Sequence, residues 1–178
     1  MSRAVRIRRA RAADRAAIVA IYARAKLDEL ANEPVVPPLL PLLDDRERLA
    51  AFEVSDVFVA GAATVLGFGA CTPGRITMLF VDPDARAAGV GGALLTHMLA
   101  AMPGEVELDV VASNTAALAL YRRAGFERGE RFRAAYNGVE VDALTLRRPT
   151  RSSGQGRSIR THGRFVADRS TDAPEWAA

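Results

Sequence analysis

Residues 79–93 constrain the fold more than any other stretch of this chain. They read Leu79-Phe80-Val81-Asp82-Pro83 and then, after two residues, Arg86-Ala87-Ala88-Gly89-Val90-Gly91-Gly92-Ala93, before an apolar run. An apolar strand enters a proline turn, and a glycine-bearing loop opens a helix. The N–H groups at a helix N-terminus have no intrahelical acceptor and lie at the positive end of the dipole. Such a terminus suits phosphate. Gly89 and Gly91 carry no Cβ to hold a pyrophosphate away, and Arg86 adds a permanent cation. Two other glycine-rich patterns fail. A dinucleotide fingerprint needs glycine where Leu94 stands, and a P-loop needs a lysine where there is none, because Lys26 is the only lysine. A tight turn without a ligand remains the alternative for this segment taken alone.

A second segment narrows the reading. Leu108-Asp109-Val110-Val111-Ala112-Ser113-Asn114 reads as a strand ending on a good helix N-cap. A helix follows and ends at Gly125-Phe126. The spacing Asn114-x-x-Ala117-x-x-x-Tyr121-x-x-x-Gly125-Phe126 and the first segment's Arg-x-x-Gly-x-Gly both resemble conserved segments of the GNAT acetyltransferases. They stand in the expected order with a normal gap. The resemblance covers residues 3–148 and is specific over 76–126.

The resemblance implies an N-acetyltransferase that moves the acetyl group of acetyl-CoA to a primary amine by direct attack in a ternary complex. The acceptor would be a small molecule or a peptide or protein amine. A non-catalytic acyl-CoA sensor or regulatory module is the alternative. The implied fold is α/β (α+β): a mixed, mostly antiparallel sheet, splayed between strands 4 and 5 and flanked by about four helices. The implied acyl-CoA contacts are the backbone of Leu79, Phe80 and Val81, the loop from Arg86 through Ala87, Ala88, Gly89, Val90 and Gly91 to Gly92, and Asn114 and Tyr121. Tyr121 matches the position that returns a proton to the CoA thiolate. A phenol with its ordinary pKa near ~10 is protonated at neutral pH and can do so. Asp109 matches a glutamate of the ribosomal-protein N-terminal acetyltransferases, so it is the candidate general base, acting through water because aspartate is shorter. Pairing with an arginine is the competing role for Asp109. Glu29, Glu33 and Glu107 are lesser candidates. No metal is implied. Dimers are common in the family, so a homodimer is one expectation.

The whole chain fits one domain. Its 178 residues are 49% apolar and 25% charged, ordinary values for a globular protein. No apolar run approaches the ~18 residues of a membrane span, and the arginine-rich start lacks a signal-like core. A cytoplasmic location is expected. Cys71 is the only cysteine, which excludes an internal disulfide, and reads as a small apolar residue. The net charge of +3 comes with acidic residues interspersed through most of the chain, so no broad nucleic-acid patch is evident.

Along the chain, Val5-Arg6-Ile7-Arg8 alternates like a half-buried strand. Asp14 is expected to cap a helix running to Leu30, and Asp44 to start a second through Phe52. A proline-rich stretch at 34–41, which no helix can cross, lies between them. Strands are expected over 56–62, 65–71, 75–81 and 106–111, with helices over 89–101 and 114–124. A hairpin over 132–136 and 139–146 turns at Asn137-Gly138, a type I′ signal. The stretch around 26–48 and that hairpin are expected to set acceptor choice. Residues 1–148 form the expected domain. Residues 149–178 read as a disordered Arg-, Ser- and Gly-rich tail, whose five arginines against three acidic residues leave an RNA or partner contact as the competing reading.

Overall fold

The computed structural model describes residues 5–150. The tail expected over 149–178 lies almost wholly outside the described residues. The elements follow the order β1 (Ile7–Arg9), α1 (Arg15–Ala25), α2 (Arg46–Glu53), β2 (Asp56–Ala60), β3 (Gly67–Thr72), β4 (Arg75–Val81), α3 (Val90–Ala100), β5 (Val106–Val111), α4 (Thr115–Arg123), β6 (Glu127–Tyr136) and β7 (Val139–Arg148). The strands form one sheet in the order β1-β2-β3-β4-β5-β7-β6. Every neighbouring pair is antiparallel except β4 and β5.

That exception shapes the molecule. β4 and β5 run parallel because α3 carries the chain back between them, as a crossover must. They pair only where Arg75 meets Glu107. Beyond that point β4 stays on β3 and β5 stays on β7, so the sheet forks.

A bulge in the β3–β4 ladder reorients the fork. The register shifts at Ala70/Cys71, leaving Thr77 as the extra residue on β4. A bulge puts two residues against one and breaks the alternation of faces. Ile76 packs on the α3–α4 side with Leu94 and Leu108, whereas Met78 and Phe80 pack on the α1–α2 side with Tyr22 and Phe52. Leu79 and Val81 return to the α3–α4 side.

The apolar residues sort accordingly. Leu94, Leu95 and Met98 of α3 share one core with Val106, Leu108 and Val110 of β5, and Ile18, Ile21 and Tyr22 of α1 share another with Val57, Val59 and Phe68. Gly67 allows a close approach of β3, β4 and α3. A Cβ there would stand 2.8 Å from the Phe80 carbonyl oxygen and 3.1 Å from Val90 Cγ1.

Several expected boundaries move for identifiable reasons. The first helix gives way to a 3-10 turn at Lys26–Leu30 rather than running through as α-helix. Asp14 precedes α1 but does not cap it with its side chain. Its carboxylate accepts instead from both terminal nitrogens of Arg8, at 2.6 and 2.8 Å, and from the Arg11 N–H. Asp45, not Asp44, caps α2 by accepting from the Arg48 N–H. The hairpin turns at Asn137-Gly138 with φ of 45° and 82°, the left-handed pair that a type I′ turn requires. Its strands extend well beyond the expected bounds, since β7 fills the place beside β5.

Candidate active site

The bulge also turns the backbone. The Asp82 N–H donates to the Leu66 carbonyl beyond the end of β3. Alternation along the strand then points the N–H and C=O groups of Val81 and Leu79 to the opposite edge. That edge is the one β5 has left. An edge of unpaired amides and carbonyls is a template for another extended chain. Phe80, buried between these two residues, anchors the strand by stacking on Tyr22 and Phe68 with centroid separations of 5.2 and 5.5 Å.

The glycine loop continues directly from this edge. Asp82 accepts from the Asp84 N–H at 2.9 Å, which turns the chain through Pro83. Ala87 and Gly89 both take positive φ, 63° and 77°, and Gly89 is the N-cap of α3. No side chain caps that end. The loop from Arg86 through Ala87 and Ala88 to Gly89 is exposed, Val90 is buried, and Gly91 and Gly92 lie between. A Cβ at Gly91 would stand 3.4 Å from Val81 and 3.6 Å from Leu120. The open strand edge, the helix N-terminus and α4 therefore meet at one place.

Arginines tether the loop from the other side. Arg24 of α1 grips Asp82 at 2.8 Å and Asp84 at 2.6 Å. Arg86 pairs with Asp28 in the 3-10 turn. The expected phosphate ligand therefore already has a carboxylate partner. Each such exposed pair contributes only ~0–1 kcal/mol, so an arriving polyanion can displace it.

Tyr121 is held by the end of its helix. Asn114 caps α4 at one end by accepting from the Ala117 N–H at 3.1 Å. At the other end Gly125 takes φ of 89°. The Phe126 N–H donates to the Tyr121 carbonyl and the Gly125 N–H to the Arg122 carbonyl, the two bonds of a Schellman motif. The accompanying apolar contact is Phe126 on Tyr121, ring centroids 5.7 Å apart. Tyr121 is 8% exposed. Burial pushes its phenol well above the ordinary range, and the Glu29 carboxylate pushes it further. The proton therefore stays on the oxygen.

Asp109 stands elsewhere. Leu108 and Val110 face the core that holds Tyr121, so Asp109 faces away from it. Its carboxylate pairs with Arg75 and accepts from the Thr145 hydroxyl at 2.9 Å. Both oxygens are engaged at the base of the fork. Glu107 joins the same face through Arg147 at 2.7 Å.

The stretch after α1 bridges the fork. Asn32 donates to the Ser113 carbonyl at 3.0 Å, and Glu33 accepts from the Ser113 hydroxyl at 2.5 Å. A cleft of about 310 Å3 opens beside it, lined by Glu33, Ser113, Arg128, Arg131 and Asp142 among others. The proline-rich loop is stitched to the hairpin: the Leu40 N–H donates to the Tyr136 hydroxyl at 2.8 Å and Asn137 Nδ2 donates to the Pro38 carbonyl at 3.0 Å. Sequence reasoning missed Asp28 as the partner of Arg86 and Lys26 as a buried residue. Its only signal for Lys26 was a single lysine among arginines. Cys71 is buried, and burial pushes its thiol up to about 11, as suits an inert core residue.

Comparison with known proteins agrees with this geometry. Residues 53–128 match the family model described as an acetyltransferase (GNAT) domain. These residues carry a GNAT acetyltransferase domain. It is 43% identical over 109 residues to a mycothiol acetyltransferase of Clavibacter michiganensis, covering 58% of this chain and 32% of that protein. It is 45% identical over 69 residues to the N-alpha-acetyltransferase RimI of Mycobacterium tuberculosis, covering 38% of this chain and 44% of that one. The matches thus span less than half the length of either relative. A GCN5-related N-acetyltransferase of Rhodopseudomonas palustris shares the fold with a TM-score of 0.71 at 19% identity, over 84% of this chain and 98% of that one. The mixed sheet with its single parallel pair is the GNAT fold. Among the described residues no helix is long and apolar enough to cross a membrane.

Proposed function

We propose that this protein is an N-acetyltransferase that uses acetyl-CoA as acyl donor and a primary amine as acceptor. The fork carries the reading: the open edge of Leu79 and Val81 lies beside an uncapped helix N-terminus and a buried, protonated Tyr121. The open edge would hold the pantetheine arm by backbone hydrogen bonds. The N–H groups from Arg86 to Gly92 would hold the pyrophosphate. Asn114 fixes the end of α4 nearest the fork. Tyr121 would give its proton to the departing thiolate. Bound here, acetyl-CoA would supply an activated acyl group.

For the base we favour Glu29 over Asp109. Glu29 is the carboxylate whose charge raises the Tyr121 phenol, whereas both oxygens of Asp109 are already engaged on the far face. Glu29 would take the acceptor's proton through water. The acceptor would enter by the cleft beside Glu33 and Ser113. That cleft has two arginines and two carboxylates, so it suits an amine that carries a further polar or charged group. The similar proteins include a mycothiol acetyltransferase and an N-alpha-acetyltransferase, which keeps both acceptor types in view. The test is a steady-state assay of CoA release against small amines and N-terminal peptides. Turnover on any of them supports the enzyme. Acetyl-CoA binding with no turnover on the panel would favour a sensor.

A further inference from the structure

Lys26 is the only lysine beside 23 arginines, and it is not on the surface. Its side chain is 3% exposed. Nζ donates to Glu29 at 2.5 Å and lies 4.8 Å from the ring centroid of Tyr136 and 5.9 Å from that of Phe80. Phe80 sits on the strand end assigned to the acyl group, and Glu29 reaches the Tyr121 phenol electrostatically. The amine therefore lies against the α1–α2 face of β4 at its forked end, and Glu29 stands between it and the proposed acid.

A second observation bears on the same place. Tyr22 stands one helical turn before Lys26 and shares Phe80 with it. Its hydroxyl is fully buried, makes no hydrogen bond of good geometry among the described residues, and has the Tyr136 hydroxyl as its neighbour. A buried donor without a well-aligned acceptor is destabilising and is satisfied by an acceptor placed beside it.

Burial lowers the pKa of Lys26, Arg48 adds to the effect, and Glu29 and Asp45 oppose it. The neutral, nucleophilic amine is thereby easier to reach than on an exposed lysine. An arginine could fill the same ion pair and stack on the same rings without ever losing its proton. The chain uses arginine for its other side-chain cations apart from the histidines, and departs from it here.

We propose that Lys26 is a self-acetylation site, its Nζ taking the acetyl group of an acetyl thioester bound along β4. The proposal rests on the acetyl-CoA reading above. The Nζ–C bond forms and the C–S bond breaks. Glu29 takes one proton from the nitrogen, and Tyr121 gives one to the sulfur. The products are Nε-acetyl-lysine and free CoA thiol. The new acetamide oxygen would offer the buried Tyr22 hydroxyl an acceptor.

The test uses the full chain with acetyl-CoA and no acceptor, followed by intact-mass measurement and peptide mapping. One acetyl group is expected on the Lys26 peptide. Its rate should not depend on protein concentration and should fall with excess free CoA. The Lys26→Arg variant should stay unmodified at that position. Calorimetry of the same preparation with acetyl-CoA separates the two ways of failing. Binding with Lys26 unmodified, or with only the N-terminal amine modified, overturns self-acetylation and leaves the cofactor reading intact. Modification that scales with protein concentration or ignores free CoA overturns it too. No binding overturns both.

Discussion

Replacing Tyr121 by phenylalanine removes one hydroxyl and keeps the ring. The stack on Phe126 and the Phe126 N–H bond to the residue 121 carbonyl involve the ring and the backbone, so both survive. Stability should therefore stay within ~0.5 kcal/mol of the parent. The loss should fall on the chemistry. A positioned general acid is worth roughly 10²–10⁴ in rate. A thiol like that of cysteine, with a pKa near ~8.5, is a tolerable leaving group even without help. The low end applies: kcat should fall about 10²-fold, or ~2.7 kcal/mol in the barrier. The KM for acetyl-CoA should change little, because the phenol is assigned to the departing sulfur. The pH dependence has a definite sign. An acid must be protonated to act, and burial raises this phenol above its ordinary ~10, so Tyr121 should impose no alkaline loss of kcat below about pH 10. Steady-state kinetics and thermal denaturation of both proteins suffice. An unchanged kcat in the folded variant would refute the acid role. An equal fall accompanied by a large loss of Tm would show that the hydroxyl serves the fold instead.

Four further outcomes follow from the same geometry. Glu29→Gln should lower kcat roughly 10²-fold as a positioned base is lost, whereas Asp109→Asn should leave kcat unchanged and cost no more than ~1 kcal/mol of stability, as an exposed ion pair does; steady-state kinetics and unfolding of both variants decide between them. Gly67→Ala should destabilise by about 1–2 kcal/mol, since its Cβ would stand 2.8 Å from a backbone oxygen, and denaturant unfolding reads this. Gly91→Glu should fold, because a Cβ there makes only ordinary contacts, but should bind acetyl-CoA at least tenfold more weakly as a carboxylate meets the pyrophosphate, ~1.4 kcal/mol or more by titration. The Asp14 carboxylate is held below its usual range first by the Arg8 guanidinium and then by the Arg11 N–H, against the cost of burial. Its contribution is complete above about pH 4 and lost as pH falls through the lowered value, so in Asp14→Asn the acid loss of stability should be shallower.

Much of this was legible in the sequence because local chemistry dictated it. Gly89 ahead of an apolar helix, Gly125-Phe126 as a stop and Asn137-Gly138 as a turn each require a backbone state that few other residues allow, and Asn114 supplies a side-chain cap. The structure adopts those states. The bulge at Thr77 was not legible. Arg75–Val81 carries no glycine or break in pattern to mark it, and the bulge arises from packing on two sides of the sheet. Yet the bulge decides which backbone edge is open. The partners of Asp109 and Arg86 were hidden for a similar reason. Thr145 and Arg75 come from β7 and β4, and Asp28 from a turn 58 residues away, so only the fold brings them together. Lys26 was visible as an oddity of composition, but its burial depends on Tyr136, which arrives on the hairpin.

Calorimetric titration with acetyl-CoA tests the central claim most directly, with the parent protein and Gly91→Glu run side by side. The account predicts saturable one-to-one binding to the parent and a marked loss in the variant. No binding to the folded parent, or equal binding to both, would mean that the glycine loop is only a turn and that the fork does not hold the acyl donor.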